Sequence, residues 1–148
     1  MNSRFLLPIS TGGSLVGIAI VHLQIAGRYS NIGTHPLSLG DQFYAQAGIA
    51  LLIALALLVR PHLLVWLGSG AFAAGSLAIL IYSRYRAIPV YGLPSGFQES
   101  WSAKGARPAA WFESIALVFS LAGATLLSRP RRGRAAPGIG REGHDARR

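Results

Sequence analysis

The stretch of residues 109–127, AAWFESIALVFSLAGATLL, decides the class of fold because it is a long apolar run with one charged residue, Glu113. A run of this length can cross the hydrocarbon core of a bilayer as a single helix. A charged side chain at the centre of such a helix costs about 2.5–3.5 kcal/mol on insertion scales, and less near the interface. We therefore expect Glu113 to face neighbouring helices rather than lipid.

Three further apolar runs precede this one, and each is bounded by charge, proline or glycine. The four predicted spans cover residues 5–26, 43–59, 63–82 and 109–127. The first run could instead be a signal peptide, but it is long for one and no clear cleavage site follows. The sequence thus predicts an all-α polytopic membrane protein whose four-helix transmembrane bundle occupies residues 1–128.

The composition supports this class. The chain is 51% hydrophobic and 13% charged, with a mean hydropathy of +0.41, whereas soluble domains carry about 25% charged residues. The absence of cysteine excludes disulfides, thiolate catalysis, iron–sulfur clusters and cysteine zinc sites. No motif identifies a cofactor or a metal, so both stay unknown.

The last part of the chain, residues 129–148, is basic and broken by glycine and proline, and we predict a disordered cytoplasmic tail. Four of its arginines are predicted to contact lipid head groups. They are Arg129, Arg131, Arg132 and Arg134. The sequence pI of 11.3 could suggest nucleic-acid binding, but the tail lacks interleaved aromatic residues. The bilayer is therefore the predicted partner, and nucleic acid is not.

The distribution of positive charge predicts the orientation in the cell membrane. Arg4, Arg60 and the tail arginines fall on one side of four spans, and basic residues favour the cytoplasmic side. Arg84 and Arg86 would lie on the opposite side and weaken the asymmetry. The balance predicts that both termini are cytoplasmic.

Small residues at four-residue spacing predict how the spans pack, because membrane helices associate by close backbone approach. The predicted stripes are Gly13 and Gly17; Ala50 and Ala54; Gly70, Ala74 and Ala78; and Ala116, Ser120, Ala124 and Ser128. Each stripe leads to one polar or aromatic residue at its outer end. These are Gln24, Gln46, Tyr82 and Glu113. We expect these groups to converge at one depth.

The loop of residues 88–101, IPVYGLPSGFQESW, is unusually apolar for a solvated connection. Phe97 and Trp101 are four residues apart, and Ser95 could cap a short helix. This pattern predicts an interfacial helix with both rings at the membrane surface and Glu99 on its other side.

His22, Glu99 and Glu113 could then approach one another at the outer end, where they could bind a cation or carry a proton. The alternative is structural. In it Glu99 pairs with Arg84, Arg86 or Lys104, Glu113 bonds to Gln46, Tyr82 or loop amides, and His22 bonds to a loop carbonyl.

Three segments carry a resemblance to known proteins: VHLQ at the end of the first span, GFQESW in the last loop and WFESIALV at the start of the fourth span. They resemble uncharacterised small four-span integral membrane proteins of high-GC actinobacteria, over about residues 13–127. The matching positions are His22, Leu23, Gly96, Phe97, Glu99 and Glu113. The resemblance makes His22, Glu99 and Glu113 the residues to test, but it implies no particular activity.

No catalytic motif is present, so an enzyme is not predicted, although His22, Glu99 and Glu113 leave the question open. The leading hypothesis is a structural or accessory membrane subunit, alone, as a homo-oligomer or in a larger membrane complex. The alternative is a small transporter or a ligand- or cation-binding protein, with an outer-face site around Glu113, Glu99 and His22.

Overall fold

A computed structural model of the chain describes residues 3–128, with side chains from residue 6 onward, and contains four long helices and one short β-hairpin. The helices are α1 Ser3–Tyr29, α2 Leu39–Val59, α3 Leu63–Tyr85 and α4 Ala106–Ser128. All four are long and apolar enough to span a membrane. The predicted all-α, four-span fold is confirmed, whereas the predicted contacts and disorder of the basic tail lie outside the described residues.

The helices extend three or four residues beyond the predicted spans at the end predicted to face outward. At the start of α2 the reason is a capping box, in which Ser38 accepts a hydrogen bond from the Asp41 amide and Asp41 accepts one from the Ser38 amide. Such polar caps satisfy the free backbone amides of a first turn and belong to the helix without being apolar. Hydropathy alone therefore underestimated the lengths of the helices.

The bundle is organised around α1, which packs closely against both α2 and α4, while α3 packs mainly against α4. The pair α2 and α3 is consecutive in sequence but forms the least extensive of these helix contacts. Buried residues of the core include Leu15 and Ile18 of α1, Leu57 of α2 and Trp66 of α3.

The predicted small-residue stripes of α2 and α4 do face the core. Ala50 and Ala54 of α2 are buried, as are Ala116, Ser120 and Ala124 of α4, whereas Ser128 at the end of the α4 stripe is exposed. At two helical glycines that face aromatic rings, the approach is too close for a larger residue unless the ring moves. A Cβ on Gly17 would lie 2.6 Å from the Phe112 ring, and one on Gly123 would lie 2.4 Å from the Trp66 ring. These contacts carry the close packing that the stripes predict.

The stripe predicted for α3 was correct at Gly70, which is buried beside Ser120, and wrong beyond it. Ala74, Ala78 and Tyr82 are exposed, and Ser69, Ala73 and Ser76 form the rest of the buried face. Both faces of α3 carry small residues, so spacing alone does not distinguish them. The serine hydroxyls do, since they find hydrogen-bond partners inside the protein and none in hydrocarbon.

The stripe of α1 was correct in part. Gly17 is buried against Phe112, but Gly13 and Gln24 are exposed. The larger neighbours Leu15, Ile18 and Ala19 form the buried face of α1. Gln24 therefore does not join the other polar groups at the outer end.

Two serine contacts fix the register between α3 and α4. Ser69 and Ser120 are hydrogen-bonded at 2.8 Å, and Ser76 donates to Glu113 at 2.7 Å. The two contacts are seven residues apart on each helix, and they run in opposite directions along the two helices. Seven residues are close to two helical turns, so both contacts lie on one face of each antiparallel helix.

The connection between α3 and α4 contains a β-hairpin, so the predicted interfacial helix was wrong. β1 Ile88–Val90 pairs antiparallel with β2 Leu93–Phe97, and Val90 lies opposite Leu93 across a two-residue turn. Gly92 in the turn has φ 78° and Gly96 has φ 69°, values that other residues rarely adopt. The hairpin is joined to the first loop, because the Thr34 amide donates to the Tyr91 carbonyl at 2.9 Å.

The close contact at Gly123 gives a test of the packing. We expect Gly123→Ala to lower the free energy of unfolding by about 1–3 kcal/mol, since a methyl group there overlaps the buried Trp66 ring. The matched control is Gly48→Ala on an exposed face of α2, where an added Cβ has nothing within 4 Å. The control should be neutral or slightly stabilising. Denaturant unfolding in detergent micelles measures both, and equal stability of the two variants would contradict the packing.

Candidate functional site

A cavity of about 90 Å³ lies between the β-hairpin and Glu113, at the end of the bundle where α1 and α3 end and α2 and α4 begin. Its walls are largely apolar, with the aromatic rings of Phe43 and Phe97 among them. A cavity needs about 10–15 Å³ to hold one water molecule, so this one has room for several waters or a small ligand.

Four of the five side chains predicted from the sequence as a site line this cavity. They are His22, Gln46, Glu99 and Glu113. The fifth, Tyr82, is 54% exposed on the outside of α3 and does not take part. The convergence expected at one end of the bundle thus includes Gln46 and Glu113, but neither Gln24 nor Tyr82.

Glu113 is 1% exposed and is only half satisfied by the protein. Its Oε1 accepts the hydrogen bond from Ser76, while its buried Oε2 has no hydrogen-bond partner. The sequence reasoning missed Ser76 as its partner. The signal was the seven-residue spacing of Ser69, Ser76 and Ser83 along one side of α3, which spans no charged residue.

His22 is 4% exposed, and its Nδ1 lies 2.8 Å from the carbonyl oxygen of Ile18, one turn earlier in α1. A carbonyl oxygen only accepts, so Nδ1 carries a proton. In the neutral ring Nε2 is then an acceptor. Phe43 meets the ring edge at a centroid distance of 5.3 Å. The histidine is therefore anchored within its own helix, and not by a loop carbonyl as the structural alternative supposed.

Glu99 is fully engaged by other residues. Its Oε2 lies 3.0 Å from the Arg84 guanidinium, and its Oε1 accepts from the Tyr29 hydroxyl. The Glu99 amide also donates to the Ser83 carbonyl at 3.0 Å. These contacts connect the segment after β2 with both α1 and α3, and they match the ion pair with Arg84 that the sequence left as an alternative.

Arg84 itself is held in a buried setting. Its guanidinium side chain is 1% exposed and lies 5.1 Å from the centre of the Trp101 ring. The side-chain amide of Gln98 donates to the Arg84 backbone carbonyl at 3.1 Å. A buried arginine needs a counter-ion, and Glu99 provides it.

The three residues proposed together as a cation or proton site share the cavity without converging on one point. Within residues 3–128, no group of three or more His, Asp or Glu side chains is arranged to hold a metal ion. Glu99 is occupied by Arg84 and Tyr29, and His22 is bonded to Ile18, which leaves Glu113 as the member of the three with an unpartnered buried atom.

Comparisons with models of protein families, with curated proteins and with solved structures find no match. The resemblance to small actinobacterial membrane proteins therefore stays a prediction. What the site can bind has to be argued from its own residues.

The buried ion pair gives the second test. We expect Glu99→Leu to lower the free energy of unfolding by about 3 kcal/mol, because it leaves the Arg84 charge buried without a counter-ion. The double variant Arg84→Met/Glu99→Leu should recover most of this loss, since no buried charge remains. Thermal and denaturant unfolding in detergent measure the cycle.

The control is Arg86→Met, which removes an exposed arginine two residues away and should change stability little. Strictly additive effects of the Arg84 and Glu99 changes would contradict the proposed coupling between them.

Proposed function

We propose that this protein is a multi-pass protein of the cell membrane that binds a small ligand in the cavity among the outer ends of its helices. The observation that carries the proposal is the buried Oε2 of Glu113, which has no partner in the wall of a cavity large enough for a ligand. A buried polar atom without a partner costs about 1–3 kcal/mol, and more for a charged group. Such costs are characteristic of functional sites.

The other acids of the described chain support this interpretation by contrast. Asp41 contacts His35 and caps α2, and Glu99 pairs with Arg84. Among the three acids in residues 3–128, Glu113 alone has no basic partner. Glu113 thus neither caps a helix nor forms an ion pair, and this difference favours a role in binding.

The shape of the cavity is also that of a small-molecule site, with largely apolar walls and a few polar groups that can orient a ligand. The opposite half of the bundle is filled by large buried side chains such as Leu15, Leu57 and Trp66. This difference between the two halves favours binding at one end over a continuous path through the monomer.

The orientation that we propose has both termini in the cytoplasm. The cavity would then open toward the outer side, between the hairpin and the ends of the helices. The support is the positive-inside distribution of Arg60 and the basic residues from Arg129 onward.

A cavity-filling variant tests the proposal. Ala109 is 4% exposed, lines the cavity and lies one turn before Glu113 on α4. We expect Ala109→Leu to abolish the binding of small molecules that the wild-type protein binds, because the added carbons occupy the cavity. Saturation-transfer NMR on the purified protein, with a panel of small neutral, anionic and cationic molecules, provides the measurement.

The matched control is Ala45→Leu, which adds the same atoms on an exposed face of α2 and should leave binding unchanged. If every bound member of the panel bound both variants equally, binding would not involve the cavity and the proposal would fail. It would also fail if the wild-type protein bound nothing.

The second candidate is an accessory subunit, and one feature of α3 favours it. Four small residues form an exposed stripe on its outer surface, at spacings of three and four. They are Gly68, Ala71, Gly75 and Ala78. An added Cβ on Gly68 or Gly75 would meet nothing within 4 Å. Stripes of this kind allow close approach of a second membrane helix, so this face suits a homo-oligomer or a larger membrane complex.

Cysteine cross-linking tests the case in which the partner is a second copy. The chain has no native cysteine, so Ala71→Cys places a single thiol on the stripe. We expect oxidation in native membranes to give a disulfide-linked dimer through close contact of two α3 helices. The control is Leu52→Cys on α2, a position that is 68% exposed and away from the stripe. Equal cross-linking of both variants, or of neither, would exclude self-association through this face.

A further inference from the structure

Building on the proposed cavity-binding function, we infer that the ligand is a small organic cation, a protonated amine whose ammonium group binds at Glu113. Three features lead to this class: a buried acceptor without a partner, an acid without a basic neighbour, and walls unsuited to a metal ion.

The buried acceptor left free in the cavity wall is the Oε2 of Glu113, which has no hydrogen-bond partner. The nearby hydroxyl donors are already used. The Ser76 hydroxyl donates to the other oxygen of Glu113, and the Ser83 hydroxyl donates to the Leu80 carbonyl at 2.8 Å. The Nδ1 proton of His22 is directed to Ile18. A ligand that satisfies the Glu113 carboxylate must bring hydrogen-bond donors, and an ammonium group brings up to three.

The charges around the cavity favour a cation. The charge of Glu99 is balanced by Arg84, with which it forms an ion pair, whereas Glu113 has no basic neighbour of this kind. Lys104 is the other charged residue of the lining, but it is exposed. Water and salt screen an exposed charge far more than a buried one. The buried end of the cavity is therefore complementary to positive charge.

The walls favour an organic cation over a metal ion. Calcium takes six to eight oxygen ligands and magnesium requires an octahedral shell, but no metal-binding group of three acidic or histidine side chains occurs in residues 3–128. Leu39, Ile79 and the rings of Phe43 and Phe97 line the cavity instead. These side chains suit a short alkyl group, and aromatic rings also tolerate a nearby ammonium. The volume of about 90 Å³ limits the ligand to a few heavy atoms.

Three probes of nearly equal size and different charge test the inference: ethylammonium chloride, ethanol and sodium acetate. Dissociation constants are measured on the full-length protein in detergent at fixed ionic strength, by ligand-observed NMR and by the thermal shift. We expect ethylammonium to bind at least tenfold more tightly than ethanol, and acetate not to compete with it.

Glu113→Gln should bring the ratio of ethylammonium to ethanol affinity close to one, because it removes the charge and keeps an oxygen that can accept from Ser76. The matched control is Asp41→Asn, which removes an acid outside the cavity lining and should leave the ratio unchanged. If Glu113→Gln does not fold, the wild-type ratio decides the matter alone, and a ratio near one overturns the inference.

The remaining outcomes separate the inference from the proposed function. Ethanol binding as tightly as ethylammonium, with both lost in Ala109→Leu, would overturn the cation class and leave cavity binding intact. Tight acetate binding that is lost in Lys104→Met would also overturn it and assign an anion to the mouth of the cavity. No saturable binding of any probe would overturn the cation class, while the wider panel decides separately whether the cavity binds other molecules.

Discussion

A carboxyl group inside a membrane must be surrounded by protein, and this requirement at Glu113 determines how α3 and α4 meet. Glu113 lies on the same face of α4 as Ala116 and Ser120, so turning the acid away from lipid turns the whole small-residue face inward. The α3 helix must then offer a donor at Ser76, which brings Ser69 to Ser120 two turns further along. One polar contact thereby sets the rotation and the register of two helices.

The sequence predicted the spans well because lipid imposes a simple condition, namely a run of apolar residues about 20 long. It also predicted the buried faces of α2 and α4, where one stripe of small residues lies opposite large apolar side chains. In α3 it failed beyond Gly70, because Ala74 and Ala78 form a face as small as that of Ser69, Ala73 and Ser76. The choice between them depends on a partner in another helix, and the pattern of α3 alone does not contain it.

The hairpin was missed for a different reason. The spacing of Phe97 and Trp101 favoured a helix, while the turn signals lay in Pro89, Gly92 and Gly96. Backbone conformation decides such a case, since two glycines with positive φ cannot continue a helix at no cost. The error had limited effect on the site, because Glu99 was expected at the same end of the bundle as Glu113 and does line the cavity there.

The sequence predicted which residues line the site, but not which residues form hydrogen bonds with them. His22, Gln46, Glu99 and Glu113 were expected at the outer end and do line one cavity. Tyr29 and Ser76, which bind the two glutamates, were not expected. Hydrogen-bond partners on different helices depend on rotations of a few tens of degrees, which the periodicity of a single segment does not resolve.

The two glutamates differ in how many partners the protein gives their carboxylates. Glu99 has a cation, a phenol hydroxyl and a backbone contact, so it holds the segment after β2 against α1 and α3. Glu113 has one serine and a cavity. A second hydrogen-bond donor to Glu113, or an apolar residue of similar size at position 113, would give the folded state a lower free energy. One oxygen of Glu113 thus holds α3 against α4, while the other faces open volume without a partner and remains available to a ligand that enters it.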